Sequence, residues 1–305
     1  MRLNKAIKIR HCGDMRRDSL AFPHPGHAAM STVSTGSIDA APRKKRVLIV
    51  YAHPEPQSLN GALKDAMREH LLATGHEVEV TDLYAQGWKS AIDADDFLQH
   101  DPDRRLQVIA ASGRAYAEGA LTEDVRREQD KLRWADAVIL QFPLWWFSMP
   151  AILKGWIDRV YAYGLAYGVG EHSDRRWGDR YGEGSFAGKR AMLSVTAGGW
   201  RDHYSARGIN GCIDDILFPI NHGVLHYPGF DVLPSFVVYR SERVDAAQFE
   251  RLRAQLHERL DGLWTQAPIP YRQQNAGDYE LPSLRLKSGL EAPGTQGFRL
   301  HLRAE

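Results

Sequence analysis

Residues 136–161 read DAVILQFPLWWFSMPAILKGWIDRVY. The opening positions are an almost unbroken apolar run, the composition of a strand covered on both faces in a parallel sheet. From Pro150 onward the apolar residues take helical spacing, and proline stands near the helix start, where its missing N–H costs nothing. Between strand and helix lie Trp145, Trp146 and Phe147. Three large rings at a strand tip either fill a core or make a flat wall for a flat ligand. Alternation beyond the strand sends neighbouring side chains to opposite faces, so the three rings cannot all enter one core.

The same unit recurs along the chain. KRVLIVYAH (45–53) is rich in β-branched residues and leads into the helical spacing of SLNGALKDAMREHLLATG, closed by Gly75. HEVEVTDLY (76–84) alternates and reads as a second strand. Residues 84–120 are loop-rich with one helix near 106–117. LTEDVRREQDKLRWA (121–135) is a helix with Thr122 at its N-cap and two carboxylates facing the positive end of the dipole. KRAMLSVTAGG (189–199) is a fourth strand, after the long, charged, Gly-rich loop YGVGEHSDRRWGDRYGEGSFAG. ARGINGCIDDILFPINHGVLHY (206–227) is largely helical, with a break expected near Pro219. GFDVLPSFVVYR (229–240) supplies a fifth strand, and DAAQFERLRAQLHERLDGLW (245–264) a long amphipathic helix. Five strands alternating with helices specify an α/β, doubly wound, five-stranded parallel sheet.

Composition narrows the function classes. The chain has 305 residues, 43% hydrophobic and 25% charged, with a formal net charge of +1. That balance carries no overall nucleic-acid footprint. No apolar run approaches the roughly 20 residues a membrane helix needs. Two cysteines, Cys12 and Cys212, are too few for a disulfide scaffold and point to a reducing, cytoplasmic setting. Residues 1–44 are basic, small and polar, without a signal-peptide core, and read as a disordered extension with Met30 as an alternative start. Residues 266–305 hold four prolines and no helical period.

In a doubly wound sheet, ligands sit beyond the carboxyl ends of the strands. The first tip, HPEPQSLN (53–60), lacks a Gly-rich nucleotide motif. It leads into a helix N-terminus, where amides and hydroxyls can hold phosphate, although Ser58 and Asn60 serve equally as caps. The second tip is the aromatic one. At the third, Gly198 and Gly199 allow close approach of a ring system, and Tyr204 and Asn210 offer a hydroxyl and an amide to developing negative charge. Phosphate-holding, aromatic and Gly-Gly-Tyr tips on the first, third and fourth strands suit a flavin.

LIVYAHPEPQSLN, QFPLWWFSMPAILKGWIDRV, TAGGWRDHYSARGINGC and GVLHYPGF together resemble the NAD(P)H:quinone oxidoreductase family, over about Lys45 to Tyr271. The resemblance implies a flavodoxin-like domain over 45–271, FAD as cofactor, NADH or NADPH as reductant, a quinone or similar acceptor, and a homodimer. Carried over position by position, it implies that FAD meets His53, Ser58, Leu59, Asn60, Gln107, Pro143, Leu144, Trp145, Trp146, Phe147, Thr196, Ala197, Gly198, Gly199 and Tyr204. Substrate would lie against Trp146, Phe147 and Tyr167, the last supplied across the dimer. The implied cycle has two steps: the nicotinamide gives hydride to the flavin and leaves, and the quinone then takes two electrons in its place.

Several positions depart from the pattern. Asn210 stands where the best-known member has a histidine, and relatives using ribosyldihydronicotinamide also carry asparagine there, so the reductant stays open. Val169 replaces a pocket tyrosine, Trp145 replaces a glutamine, and the loop around 170–180 is longer. His222 and His226, four apart on a helix, match a metal site of one relative, but its cysteine ligand is Tyr271 here, which favours packing. Cys212 reads as a packing residue within a helix, and RRW (175–177) and RSER (240–243) as solvated charge. The tail, 272–305, suggests a small hairpin. The rival reading from another class is a flavin-binding regulatory subunit of a potassium-efflux transporter.

Overall fold

The computed structural model describes residues 44–303, so the expectations for residues 1–43, Cys12 and Met30 lie outside the described residues. Strands β1 (Arg46–Tyr51), β2 (Glu77–Asp82), β3 (Ala137–Pro143) and β6 (Arg190–Ala197) lie in the order β2-β1-β3-β6, all parallel. The fifth position beside β6 is shared by β7 (Asp231–Val232) and β8 (Phe236–Tyr239). This is the doubly wound, flavodoxin-like sheet expected. The fifth strand is interrupted rather than continuous: Leu233 N–H still donates to Ala191 O of β6 (2.8 Å), but Pro234 cannot donate to the ladder, and pairing resumes at Phe236.

Residue alternation divides the core into two layers. Val47, Ile49, Ala137, Ile139 and Met192 face one side, against Leu63 and Met67 of α1 (Leu59–Ala73) and Leu256 and Leu260 of α6 (Ala246–Asp261). Leu48, Val50, Val138, Leu140 and Phe142 face the other, against Leu132 of α3 (Glu123–Trp134) and Leu153 and Trp156 of α4 (Ala151–Val160). Every β3 residue is buried, which is why its run is continuously apolar, apart from Gln141.

Two buried ionic groups lock the second layer. Glu128 is fully buried and accepts from Thr81 Oγ1 (2.7 Å), Trp156 Nε1 (3.0 Å) and Lys131 Nζ (2.7 Å). Arg159 donates to Asp96 (2.9 Å) and Asp124 (2.7 Å) and lies over Trp88 at 4.4 Å. Each charge is paired and hydrogen-bonded, the condition for tolerating it inside.

Helix boundaries follow their caps. Ser58 Oγ accepts from the Gly61 amide, and Gly75, one past the C-cap Thr74, adopts φ +89°. The helix near 106–117 forms as α2 (Val108–Ala117). Asp245 and Gln248 make a reciprocal capping box on α6, a D-x-x-Q signal passed over in the sequence. The break expected near Pro219 takes the form of a change of helix type rather than an end to helical winding. α5 (Ile213–Phe218) passes directly into a π-helical segment, Pro219–His226, and the wider turn accommodates the proline ring without ending the helix. Cys212 is buried at the N-cap of α5, one residue outside the helix.

The long loop carries a two-residue hairpin, β4 (His172–Ser173) with β5 (Arg176–Trp177), and its charges are partly spent: Arg176 pairs with Asp179 (2.7 Å) and Glu183 (2.9 Å). The tail doubles back over 278–287, with the Glu280 amide on Arg285 O (2.9 Å) and the Lys287 amide on Asp278 O (2.9 Å). It then returns beside Tyr271 through a bridge to Leu302.

The π-segment imidazoles set an acid limit. Burial pushes His222 down to about 3, reinforced by His226 and His301, which burial also lowers. The unfolded chain titrates these groups near 6.5, so it takes up protons that the fold refuses. Their contribution is therefore intact above about pH 6.5 and is lost as pH falls toward 3. His222→Phe, which keeps a ring in place, is expected to lose less stability than the parent between about pH 7.5 and pH 5, by up to about 2 kcal/mol. Thermal unfolding at the two pH values checks this, and identical pH dependence would contradict it.

Candidate active site

The tips of β1, β3 and β6 are brought level by one buried polar network. Asn60 Nδ2 donates to Thr196 Oγ1 (3.0 Å), and Asn60 Oδ1 accepts from Gln141 Nε2 (2.8 Å). All three residues are buried. Asn60 is therefore no cap; Ser58 takes that role, and Asn60 is the second residue of α1. Gln141 was missed from the sequence, although a lone amide inside DAVILQFPL is the signal that finds it.

At the first tip, the amides of Leu59 and Asn60 have no acceptor among the described residues, as expected for a first helical turn. They and the dipole of a 15-residue helix present positive potential beside the tip. The His53 ring lies 5.9 Å from the Trp145 ring, which joins the first tip to the second.

The second tip is a tight turn. Leu144 N–H donates to Thr196 O (2.8 Å) and Ser148 N–H to Trp145 O (3.0 Å). The two central residues, Trp146 and Phe147, have φ of +49° and +62°. Bulky side chains rarely adopt this region, and each such residue costs about 1–3 kcal/mol. Nor are the rings repaid by packing: Trp146 is 94% exposed and Phe147 51%. Strained backbone that holds two bare aromatic faces outward makes this turn a candidate ligand site.

The third tip is open. A Cβ added at Gly198 would meet nothing within 4 Å, whereas at Gly199 it would approach Tyr204 Cε2 at 2.9 Å. Gly199 thus lets the Tyr204 ring fold down over the tip, where it lies 5.7 Å from Tyr239. Asn210 is on the same loop, anchored by its amide on His203 O (3.0 Å), and no side-chain bond joins it to Tyr204. RSER is not simply solvated, because Arg240 stacks over Trp200 at 3.8 Å.

Gln107 comes from a different element, at the N-cap of α2. It lines a shallow cavity with Val108, Ile109 and Tyr163. Tyr163 meets Tyr167 edge-on at 5.5 Å, and Tyr167 Oη lies 3.4 Å from Ser112 Oγ of α2. Exposed Gln107 and half-buried Tyr167 are thus both placed beside α2. Tyr163, four residues before Tyr167, went unnoticed in the sequence.

The HxxxH pair is a poor metal site. The His222 and His226 rings are 5.5 Å apart, and Tyr271 lies 5.0 and 5.1 Å from them. Burial raises the Tyr271 phenol well above its ordinary range, so it stays protonated and supplies no anionic ligand. Among the described residues, no three His, Cys, Asp or Glu side chains gather to hold a metal ion.

Sequence comparison matches residues 45–260 to the flavodoxin-like fold family. A ribosyldihydronicotinamide dehydrogenase-like protein, traD, of Penicillium crustosum is 57% identical over 85% of this chain and 96% of its own length. The human ribosyldihydronicotinamide dehydrogenase [quinone] is 40% identical over 74% of this chain and 95% of its own. A crystal structure of a candidate quinone reductase from Klebsiella pneumoniae superposes with a TM-score of 0.82 at 62% identity, covering 85% of this chain and 100% of that one. The fold is that of a flavodoxin-like oxidoreductase. The chain belongs to the flavodoxin-like NAD(P)H:quinone oxidoreductase family, and its homologues are NAD(P)H dehydrogenase (quinone)-type oxidoreductases.

The strained turn yields a separable prediction. Trp146→Gly removes the left-handed penalty at a residue with almost no packing to lose. The ligand-free protein is expected to gain up to about 1 kcal/mol, the strain relief being partly offset by glycine's entropy. The same variant is expected to bind its ligand less tightly. Denaturant unfolding and ligand titration check the two arms, and a destabilised ligand-free protein would show that the turn carries no strain.

Proposed function

We propose that the chain is a flavin-dependent NAD(P)H oxidoreductase that holds FAD across the three tips and reduces quinones or similar two-electron acceptors. The observation that carries this reading is the pair of outward rings, Trp146 and Phe147, held in strained backbone between free helix-start amides and the open flank of Gly198. The residues fit the group. Leu59 and Asn60 amides would take the phosphates, Pro143 to Phe147 the ring system, and Thr196 to Gly199 its far edge, with His53, Ser58 and Gln107 completing the set. FAD, when bound, supplies the two-electron relay from a reduced nicotinamide to the acceptor.

The chain's own residues supply orientation and charge stabilisation. Trp146 and Phe147 exclude water from one ring face. The Tyr204 hydroxyl donates a hydrogen bond toward negative charge that builds up during reduction, and the Asn210 amide supports it without titrating near neutral pH. Tyr167 faces the substrate from a neighbouring copy. The bare surface of Val108, Ile109, Tyr163 and the tip rings is of the kind buried by association, which supports a twofold dimer. The names of the relatives support a quinone acceptor and make ribosyldihydronicotinamide a reductant to test beside NADH and NADPH.

Purified protein is expected to show a flavin absorption spectrum, to release FAD on denaturation, and to bleach under one of the three reductants. Release of FMN alone, or no flavin after reconstitution, would overturn the cofactor assignment. Tyr204→Phe is expected to slow bleaching about 10²-fold while FAD stays bound. Stopped-flow absorbance measures this, and an unchanged rate would reduce Tyr204 to a wall of the pocket.

A further inference from the structure

Away from the tips, the tail closes a second cavity over the π-helical segment, with a volume of about 360 Å³. This is within the range that small-molecule sites occupy. One wall is a continuous ring stack: Tyr181 on His222 (4.7 Å), His222 on Phe218 (4.6 Å) and Phe218 on Phe298 (4.2 Å), with interplanar angles of 25°, 18° and 9°. Tyr279 and His301, which also line the cavity, stack at 6.0 Å and are joined by a 2.9 Å bond from Tyr279 Oη to His301 Nδ1. Flat surfaces thus border the space from both the π-segment and the tail.

Its polar groups are only partly compensated. Arg180 lines the cavity, donates from Nε to Gln274 Oε1 (2.6 Å) and from Nη1 to Tyr227 Oη (3.4 Å), lies over the Trp177 and Tyr227 rings, and pairs with no carboxylate among the described residues. No Asp or Glu lines the cavity. His222 Nε2 is buried and has no hydrogen-bond partner. A buried polar atom without a partner costs about 1–3 kcal/mol unless something in the space satisfies it. Tyr181, which opens the stack, is held at φ +53° by its amide on Tyr227 O (2.8 Å) and its carbonyl accepting from Gln274 N–H (3.2 Å).

We infer that this cavity is a binding site for a small planar aromatic carboxylate: the ring slides along the stack, the carboxylate pairs with Arg180, and His222 Nε2–H donates the remaining hydrogen bond to it. The inference is independent of the flavin reading, because none of these residues belongs to the tip site.

The test uses the full chain in its flavin-loaded form, titrated with benzoate by calorimetry while the flavin spectrum is followed. Saturable binding is expected that leaves the flavin spectrum unchanged and is at least about tenfold weaker for benzyl alcohol, which lacks the charge, and for cyclohexanecarboxylate, which lacks the plane. Arg180→Gln and Phe298→Ala, each at a partly exposed position, are expected to weaken benzoate about tenfold or more, with fold and flavin spectrum retained. Three results would overturn the inference: benzoate binding that shifts the flavin spectrum, affinity unaffected by either variant, or no saturable binding by a protein whose circular dichroism shows it folded.

Discussion

Three buried side chains, Asn60, Gln141 and Thr196, set the level of everything at the carboxyl edge of the sheet. Backbone pairing alone allows β1, β3 and β6 to end where their ladders end. The amide–amide–hydroxyl chain adds a lateral tie from the start of α1 to β3 and β6, and Leu144 N–H to Thr196 O extends it into the aromatic turn. Its cost is steep if broken: a buried amide left without its partner forfeits about 1–3 kcal/mol. The tips can therefore be loops and still be placed as firmly as the core.

That rigidity explains how a strained turn survives. Trp146 and Phe147 sit in left-handed backbone because the strand before them and the helix after them are both fixed. Their orientation comes from the main chain rather than from neighbouring side chains, so the rings can be bare and still pre-set. The opposite strategy holds the long loop in place. There Gln274 Nε2 donates to Trp177 O (3.3 Å) and Gly178 O (3.2 Å), and Asn275 Nδ2 to Gly178 O (3.1 Å), so a segment of poor local preference is shaped by the tail.

The parts legible in the sequence are those governed by local pattern. Continuous apolar runs gave β1, β3 and β6, and their order with the helices gave the doubly wound sheet. The tip motifs were also visible, since each lies within a short stretch. What escaped depends on partners far away in sequence. Asn60 looks like a cap or a phosphate ligand until Thr196, 136 positions on, claims its side chain. Pro219 looks like a helix end, but the packing of Leu217, Ile220 and Leu225 in the core carries the helix through as a wider turn. Pro234 was visible, and its power to split the outer strand was underestimated. His301 had no local signal at all, because only the tail's return path sets it near His222.

The two outer borders of the sheet share a property that bears on how copies meet. On one side β2 carries Glu77 and Glu79, and Lys44 pairs with Glu77 at 3.0 Å. On the other, two short pieces flank a proline. Neither border offers a long, flat, uncharged row of amides and carbonyls to an incoming strand. Both borders therefore disfavour lengthening of this sheet by a strand from a second chain. Self-association is thereby steered to side-chain surfaces, and the backbone templates that seed fibrous growth are blunted at both ends.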